Sequence, residues 1–264
     1  MPVDAAAFGP AGLIIAALFG ALFGSFLNVV IWRLPRKESI VFPPSHCGSC
    51  SARVASWDNI PILSWLILRG RCRSCRAPIS LRYPFVELLG AAITVVLFRQ
   101  FGLSITTAAY LWFCLALLAV TLIDLEHRII PDAITLPGTL LGLALVRWTQ
   151  VTWLEAALGA VLGFGVLFLV GVAYEKATGV EGMGGGDVKL AAMMGAFLGW
   201  QGVVLSIFLG AFMGSLVGVA AMAGGKGNRR TALPFGTFLA PAAVIVLFAG
   251  PALWHWYMGL FRVH

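Results

Sequence analysis

The 264 residues of this chain are 60% hydrophobic and only 11% charged, with a formal net charge of +7 and a mean hydropathy of +0.94. Soluble domains carry about 25% charged residues, so this composition excludes a water-soluble globular protein. Apolar runs of roughly 20 residues, each able to cross about 30 Å of hydrocarbon, predict an all-α polytopic membrane protein. Because these runs are continuous rather than alternating, they exclude a transmembrane β-barrel.

Eight transmembrane helices are predicted. They cover residues 11–32, 84–99, 105–123, 133–147, 154–174, 188–200, 202–223 and 235–259. The first is not expected to be a cleaved signal peptide, because no basic segment precedes it and no small-residue cleavage site follows it. Small-xxx-small pairs such as Gly20/Gly24 and Gly159/Gly163 predict close helix packing.

The basic residues predict the orientation of these helices. Nine of the 18 Lys and Arg residues lie in the loop 33–83. If that loop is cytoplasmic, 15 of the 18 face the cytoplasm and three the other side, as the positive-inside rule requires. The positive charge then reflects topology and attraction to anionic lipid headgroups, and no nucleic-acid partner is expected.

The same loop contains two cysteine pairs, in HCGSC (46–50) and RCRSC (71–75). The candidate metal ligands are Cys47, Cys50, Cys72 and Cys75. Two C-x2-C motifs at this spacing are typical of a tetrahedral zinc site closed by four thiolates, which would be structural. Two disulfides are the alternative, but they require an oxidising compartment. His46 could replace one cysteine, whereas Cys114, in the middle of an apolar run, is interpreted as a packing residue.

Two aspartates are predicted at one face of the membrane. Asp124, in TLIDLEHRIIPD (121–132), ends the third predicted helix, and Asp187, in GMGGGDVKL (182–190), begins the sixth. Two facing carboxylates can hydrolyse a peptide bond, because one accepts a proton from water while the other donates to the substrate carbonyl oxygen. The glycines at 184–186 would let the backbone approach an extended peptide.

Structural roles are the alternatives for these acids. Asp187 could be the N-cap of its helix, and Asp124 could pair with Arg128 one turn later. Asp132 could interact with the dipole of the fourth helix. Glu87, about one turn after Pro84, could lie near the headgroups or serve a second site.

These motifs resemble those of a known family. GMGGGDVKL is similar to the G-x-G-D signature of intramembrane aspartyl proteases, and with IDLEHRIIPD it resembles the type IV prepilin peptidases. GSFLNVVIWRLP (24–35), the paired C-x2-C loop and RYPFVELLGA (82–91) resemble the amino-terminal part of that family. LPFGTFLA (233–240) resembles the entry to its last helix, so the similarity covers nearly the whole chain.

The resemblance implies specific roles. Asp124 and Asp187 match the catalytic pair, and the four cysteines match a zinc-binding tetrad. The residues expected to support the active site are Gly184, Gly186, Lys189, Glu181 and Pro131. The implied domains are a first transmembrane helix (1–32), a cytoplasmic zinc-binding domain (33–83) and a transmembrane protease core (84–264).

The resemblance also implies an activity. The family removes the basic leader of type IV prepilins and type II secretion pseudopilins at the cytoplasmic face of the bacterial inner membrane. Many members then methylate the new amino terminus with S-adenosylmethionine, for which no binding residue is identified. A basic loop would repel a basic leader unless acids lie close by, and Glu38, Asp58 and Glu181 are the candidates.

Two other functional classes compete. Glycine-broken helices with ionisable residues also form ion- or proton-coupled transporters. That interpretation requires acids near the middle of the membrane and usually an internal repeat, and neither is found. A zinc-bearing membrane scaffold with inert aspartates is the other alternative.

Overall fold

The computed structural model describes residues 9–180, 183–224 and 234–261. The helices are α1 (Gly9–Arg33), α2 (Leu63–Ile67), α3 (Arg82–Phe101), α4 (Ile105–His127), α5 (Asp132–Ala144), α6 (Trp153–Thr178), α7 (Gly185–Ala223) and α8 (Gly236–Phe261). Short 3-10 turns cover Leu34–Arg36, Ser56–Asn59 and Val146–Trp148. Across the described ranges, extended backbone pairs only at two isolated bridges, His46 with Arg53 and Arg71 with Pro78. The predicted all-α class is therefore confirmed.

Five of these helices, α1, α3, α4, α6 and α7, are long and apolar enough to cross a membrane, and the chain is a multi-pass membrane protein. The apolar helices α5 and 236–250 of α8 are shorter. The 39-residue α7 would measure about 58 Å if straight, but it breaks at Gly199, where φ is 70° and ψ is 179°. This break falls one residue before the end of the predicted helix 188–200, close to the start of the predicted helix 202–223. The total of eight crossings stays a prediction.

The chain divides into two compact units, Met1–Leu115 and Ala116–His264. In the first unit, α1 packs against α3 through glycines. A Cβ added to Gly24 would lie 2.7 Å from the Cα of Glu87, and one added to Gly90 would lie 2.5 Å from the carbonyl oxygen of Gly20. The two backbones therefore touch, as the Gly20/Gly24 pair predicts.

Residues 34–81 connect α1 to α3 and are tied to both helices. The guanidinium of Arg33 donates to the carbonyl oxygens of Ser39 (2.9 Å) and Pro43 (2.7 Å). Glu87 on α3 accepts a hydrogen bond of 2.6 Å from the backbone N–H of Ile62. Ile62 has a φ of 62°, which is rare for a β-branched residue. The Glu87 carboxylate thus fixes an unfavourable turn at the start of α2.

In the second unit, α7 packs against α5, α6 and α8. A Cβ on Gly142 of α5 would lie 2.8 Å from the ring of Phe197, and one on Gly210 would lie 3.0 Å from the Cα of Leu239 on α8. Gly195 of α7 and Gly159 of α6 meet backbone to backbone. These contacts hold α7 against α5, α6 and α8.

Replacing Gly195 with alanine should destabilise the contact between α6 and α7. The added methyl group would overlap the backbone of Gly159, and backbone atoms cannot rotate away as a flexible side chain can. Overpacking of this kind costs about 1–3 kcal/mol, so thermal unfolding of the purified protein in detergent should begin at a lower temperature.

Gly165→Ala is the matched control, because Gly165 lies on α6, the helix that Gly195 contacts, and a Cβ there meets nothing within 4 Å. Its unfolding temperature should not fall. Equal unfolding temperatures for Gly195→Ala and the wild type would show that the α6–α7 contact is loose.

Candidate active site

Asp124 lies near the end of α4 and is 5% exposed. Its Oδ2 accepts two hydrogen bonds from Thr237, one from the backbone N–H at 2.7 Å and one from the hydroxyl at 3.0 Å. Arg128, the partner considered from the sequence, donates its backbone N–H to the carbonyl oxygen of Asp124 at 2.9 Å. The hydrogen bonds that hold the Asp124 carboxylate therefore come from the start of α8.

Asp187 is the third residue of α7. Gly184 is the N-cap of that helix, so the alternative in which Asp187 is the N-cap is wrong. The backbone N–H of Asp187 donates to the carbonyl oxygen of Gly184 at 3.1 Å. Its carboxylate also interacts with the backbone N–H of Gly236. Its Oδ1 is buried and has no hydrogen-bond partner within the described residues.

The first turn of α8 brings the two aspartates together. The backbone N–H of Thr237 donates to Asp124. The backbone N–H of the preceding residue, Gly236, interacts with the carboxylate of Asp187, and the two carboxylates interact electrostatically. Carboxylates this close in an apolar bundle repel each other when both are ionised, so the pair is suited to holding one proton between them. That is the arrangement that acid–base hydrolysis by two aspartates uses.

Ile130 packs against two glycines of this site. A Cβ added to Gly186 would lie 2.8 Å from the Cβ of Ile130. One added to Gly236 would lie 2.7 Å from the Cδ1 of Ile130 and 3.0 Å from Oδ2 of Asp124. The absence of side chains at both glycines is what allows α7 and α8 to bring their first turns to the end of α4.

The other predicted support residues have structural contacts. The Nζ of Lys189 lies 2.8 and 2.7 Å from the two carboxylate oxygens of Asp132, which links the first turn of α7 to the first residue of α5. Pro131 is the N-cap of α5. The Lys189–Asp132 pair is partly exposed, with side chains 35% and 55% accessible, so it contributes at most about 1 kcal/mol. Glu181 lies outside the described residues.

The four predicted metal ligands converge in the first unit. The Sγ atoms of Cys47, Cys50, Cys72 and Cys75 all lie within 4.8 Å of one another. The distance from Cys47 Sγ to Cys75 Sγ is 3.8 Å, and four thiolates around a tetrahedral zinc ion at about 2.3 Å would be about 3.8 Å apart. The N–H groups of Ser49 and Cys50 lower the pKa of Cys47 to about 6, which favours the thiolate, whereas the neighbouring thiol of Cys50 and burial raise the pKa of Cys75 to about 11. The cluster therefore fits a four-coordinate metal ion, and His46, whose Nδ1 is 3.2 Å from the carbonyl oxygen of Pro44, is not part of it.

Several residues of this structure have no role that the sequence predicts. Gly236 and Thr237 belong to the motif LPFGTFLA, and their position at the start of the last helix is the available signal. Asn28 belongs to the motif GSFLNVVIWRLP (24–35), which does not by itself indicate a role for this residue. It is 2% exposed and donates from Nδ2 to the carbonyl oxygens of Gly24 (3.3 Å) and Tyr83 (3.2 Å). Its Oδ1 is buried without a partner in the described part of the chain.

Comparisons with known proteins identify the family of this chain. Residues 18–101 match the family model for the bacterial peptidase A24 N-terminal domain, and residues 111–219 match that for the type IV leader peptidase family. The prepilin leader peptidase/N-methyltransferase of Pseudomonas putida is 38% identical over 91% of both chains. Its counterpart in Stutzerimonas stutzeri is 37% identical over 99% of both chains. In Aeromonas hydrophila the corresponding protein is 38% identical, covering 91% of this chain and 92% of its own.

No solved structure matches the chain. The two family models together cover most of the sequence, and each of these relatives matches the chain over nearly its full length. This chain belongs to the type IV leader peptidase family.

Proposed function

We propose that this protein is an intramembrane aspartyl endopeptidase. It removes the basic leader of type IV prepilins and type II secretion pseudopilins, and it then methylates the new amino terminus of the product. The observation that carries the proposal is the convergence of Asp124 and Asp187 on the first turn of α8. The names of the relatives, prepilin leader peptidase and N-methyltransferase, support both activities.

In the cleavage step, the ionised aspartate accepts a proton from water, and the resulting hydroxide attacks the scissile carbonyl carbon. The protonated aspartate donates to the carbonyl oxygen, which gives a tetrahedral intermediate. The C–N bond of that intermediate then breaks as the aspartate that accepted the proton from water passes it to the leaving amine, and the carboxyl product returns its proton to the other aspartate, so the pair needs no metal ion or covalent nucleophile. Oδ2 of Asp124 is held by Thr237, whereas Oδ1 of Asp187 has no protein partner among the described residues. That oxygen is therefore the group best suited to meet water or the substrate carbonyl.

The substrate arrives as an apolar helix with a basic leader outside the bilayer. In this proposal, both aspartates and residues 33–83 face the cytoplasm at the inner membrane. With this orientation 15 of the 18 basic residues lie on the cytoplasmic side, as the positive-inside rule requires. Asp58 is bound to Arg73 and is not free to attract the leader, which leaves Glu38 as the described candidate. The acids lie at helix ends, and nothing in the described part of the chain favours an ion-coupled transporter.

The four cysteines hold one structural zinc ion in this proposal. Their Sγ atoms fit a closed tetrahedral site without an open position. Such an ion would stabilise residues 34–81, a segment too short for a large hydrophobic core.

The methyl donor is S-adenosylmethionine, which supplies a methyl group to the new amine. Its ammonium and sulfonium groups are cationic and require oxygen acceptors nearby. In the first unit, the buried carboxylate of Glu87 and the unpartnered Oδ1 of Asn28 are acceptors of this kind. These two groups would hold the cationic part of the donor.

Changing either Asp124 or Asp187 to asparagine should abolish cleavage of a prepilin in membranes or detergent, because an amide cannot exchange the required proton. Asp132→Asn is the matched control: its side chain is exposed and pairs with Lys189, so cleavage should fall by less than about fivefold. Methylation of a pre-cleaved pilin should persist in all three variants. Retained cleavage in Asp187→Asn would refute the peptidase assignment.

Gly186→Ala should lower the cleavage rate strongly, because the added methyl group would push Ile130 away from the first turn of α7. Gly185→Ala tests this explanation. A Cβ at Gly185 meets nothing within 4 Å, so this variant should cleave at nearly the wild-type rate. If both alanines were equally harmful, backbone freedom rather than space would be the requirement.

Metal analysis of the purified protein should find about one zinc ion per chain. Cys72→Ser should lose the metal and increase protease sensitivity within residues 34–81. Cys114→Ala should keep the metal, since Cys114 is buried within α4 and is not part of the cluster. An active protein without metal under reducing conditions would rule out the zinc site.

A further inference from the structure

A basic cavity lies beside the second cysteine pair. Its volume is about 680 Å³. The lining residues are Ile67, Leu68, Arg69, Arg71, Arg73 and Arg76. None of these side chains has a part in the proposed cleavage or metal binding. The combination of two apolar residues with four guanidinium groups around one cavity is therefore unexplained by the functions above.

Only one of the four arginines is neutralised. Arg73 forms a bidentate pair with Asp58, with its Nε 2.7 Å from Oδ2 and its Nη2 2.6 Å from Oδ1. This hydrogen-bonded pair lowers the pKa of Asp58, which stays ionised. The guanidinium groups of Arg69, Arg71 and Arg76 have no hydrogen bond or ion pair within the described residues. Three unpaired positive charges therefore border one cavity.

The charge of the cavity selects its ligand. S-adenosylmethionine carries a net charge of +1 and the leader of a prepilin is basic, so both would be repelled. Guanidinium groups bind phosphate oxygens through paired N–H donors, and arginine is favoured wherever phosphate is recognised. The cavity is thus suited to an anion that contains a phosphate group.

The surroundings of the cavity favour a lipid over a soluble anion. Residues 34–81 start at the end of α1 and finish at the start of α3, two helices apolar enough to span a membrane. The segment is thereby held at the membrane surface. Ile67, which lines the cavity, is 74% exposed, and Leu66 beside it is 57% exposed. A ligand at this position meets both charged and apolar groups, as an amphiphile would.

We propose that the cavity binds the phosphodiester headgroup of an anionic phospholipid, held by Arg69, Arg71 and Arg76. Ile67 and Leu66 contact the lipid where the headgroup meets the acyl chains. Because Arg71 and Arg76 directly flank Cys72 and Cys75, the bound lipid fixes the second cysteine pair against the bilayer surface.

The test uses the full-length protein purified in a neutral detergent and exchanged against phosphatidylglycerol or phosphatidylcholine. Bound lipids are counted by native mass spectrometry over a range of lipid concentrations. The wild type should bind phosphatidylglycerol preferentially. The combined variant Arg69→Gln, Arg71→Gln and Arg76→Gln should bind it about tenfold or more weakly, since each basic residue near a membrane surface contributes to the attraction.

The matched control is the combined variant Arg36→Gln, Lys37→Gln and Arg53→Gln, which removes the same charge from the same segment outside the cavity. It should keep the preference for phosphatidylglycerol. Equal losses in the two triple variants would mean unspecific attraction and would overturn the proposal. Full displacement of the lipid by millimolar inorganic phosphate would also overturn it, because the ligand would then be a soluble anion.

Misfolding is separated from loss of binding by the metal content. Arg69→Gln alone changes a residue outside the cysteine pair and should weaken phosphatidylglycerol binding with the metal retained. If it left binding unchanged while the triple variant lost both lipid and metal, the loss would reflect unfolding and the cavity would not be a lipid site.

Discussion

The second unit depends on the interaction between the first turn of α8 and the two aspartates, Asp124 and Asp187. A carboxylate within an apolar bundle is costly unless hydrogen-bond donors reach it, and two carboxylates together add their mutual repulsion. The backbone N–H of Thr237 donates to Asp124, and that of Gly236 interacts with the carboxylate of Asp187. Helix N-termini are suited to this role, because their first N–H groups have no partner within the helix and carry partial positive charge.

This arrangement requires helices whose backbones approach closely, and glycine provides the space. Ile130 lies against Gly186 on one side and Gly236 on the other, where added side chains would overlap it. Deeper in the bundle, Gly195 meets Gly159. In lipid, helices gain little from burying apolar surface against one another, so close packing of small residues carries much of the association. The positions of the catalytic candidates therefore depend on glycines that carry no chemistry of their own.

The sequence was sufficient to predict the fold class and the cysteine cluster, because the composition and the C-x2-C spacing can be read from it directly. It also indicated that Asp124 and Asp187 share a membrane face, since alternation of apolar runs determines depth. The role of α8 could not be predicted, because a backbone N–H donor has no residue signature and the bond from Thr237 to Asp124 spans 113 positions. The hydrogen bond from the backbone N–H of Ile62 to Glu87, 25 positions away, could not be predicted for the same reason.

The two aspartates of the site differ in how well the protein satisfies their carboxylate oxygens. A buried acceptor without a partner costs about 1–3 kcal/mol, and more if it is charged. Oδ2 of Asp124 accepts two hydrogen bonds from Thr237, whereas the buried Oδ1 of Asp187 has none from the described residues. A water molecule or a substrate carbonyl would supply the missing hydrogen bond. The folded chain thus offers an unused acceptor at the atom where the scissile peptide would bind, and a hydrogen bond to that atom can contribute to substrate binding.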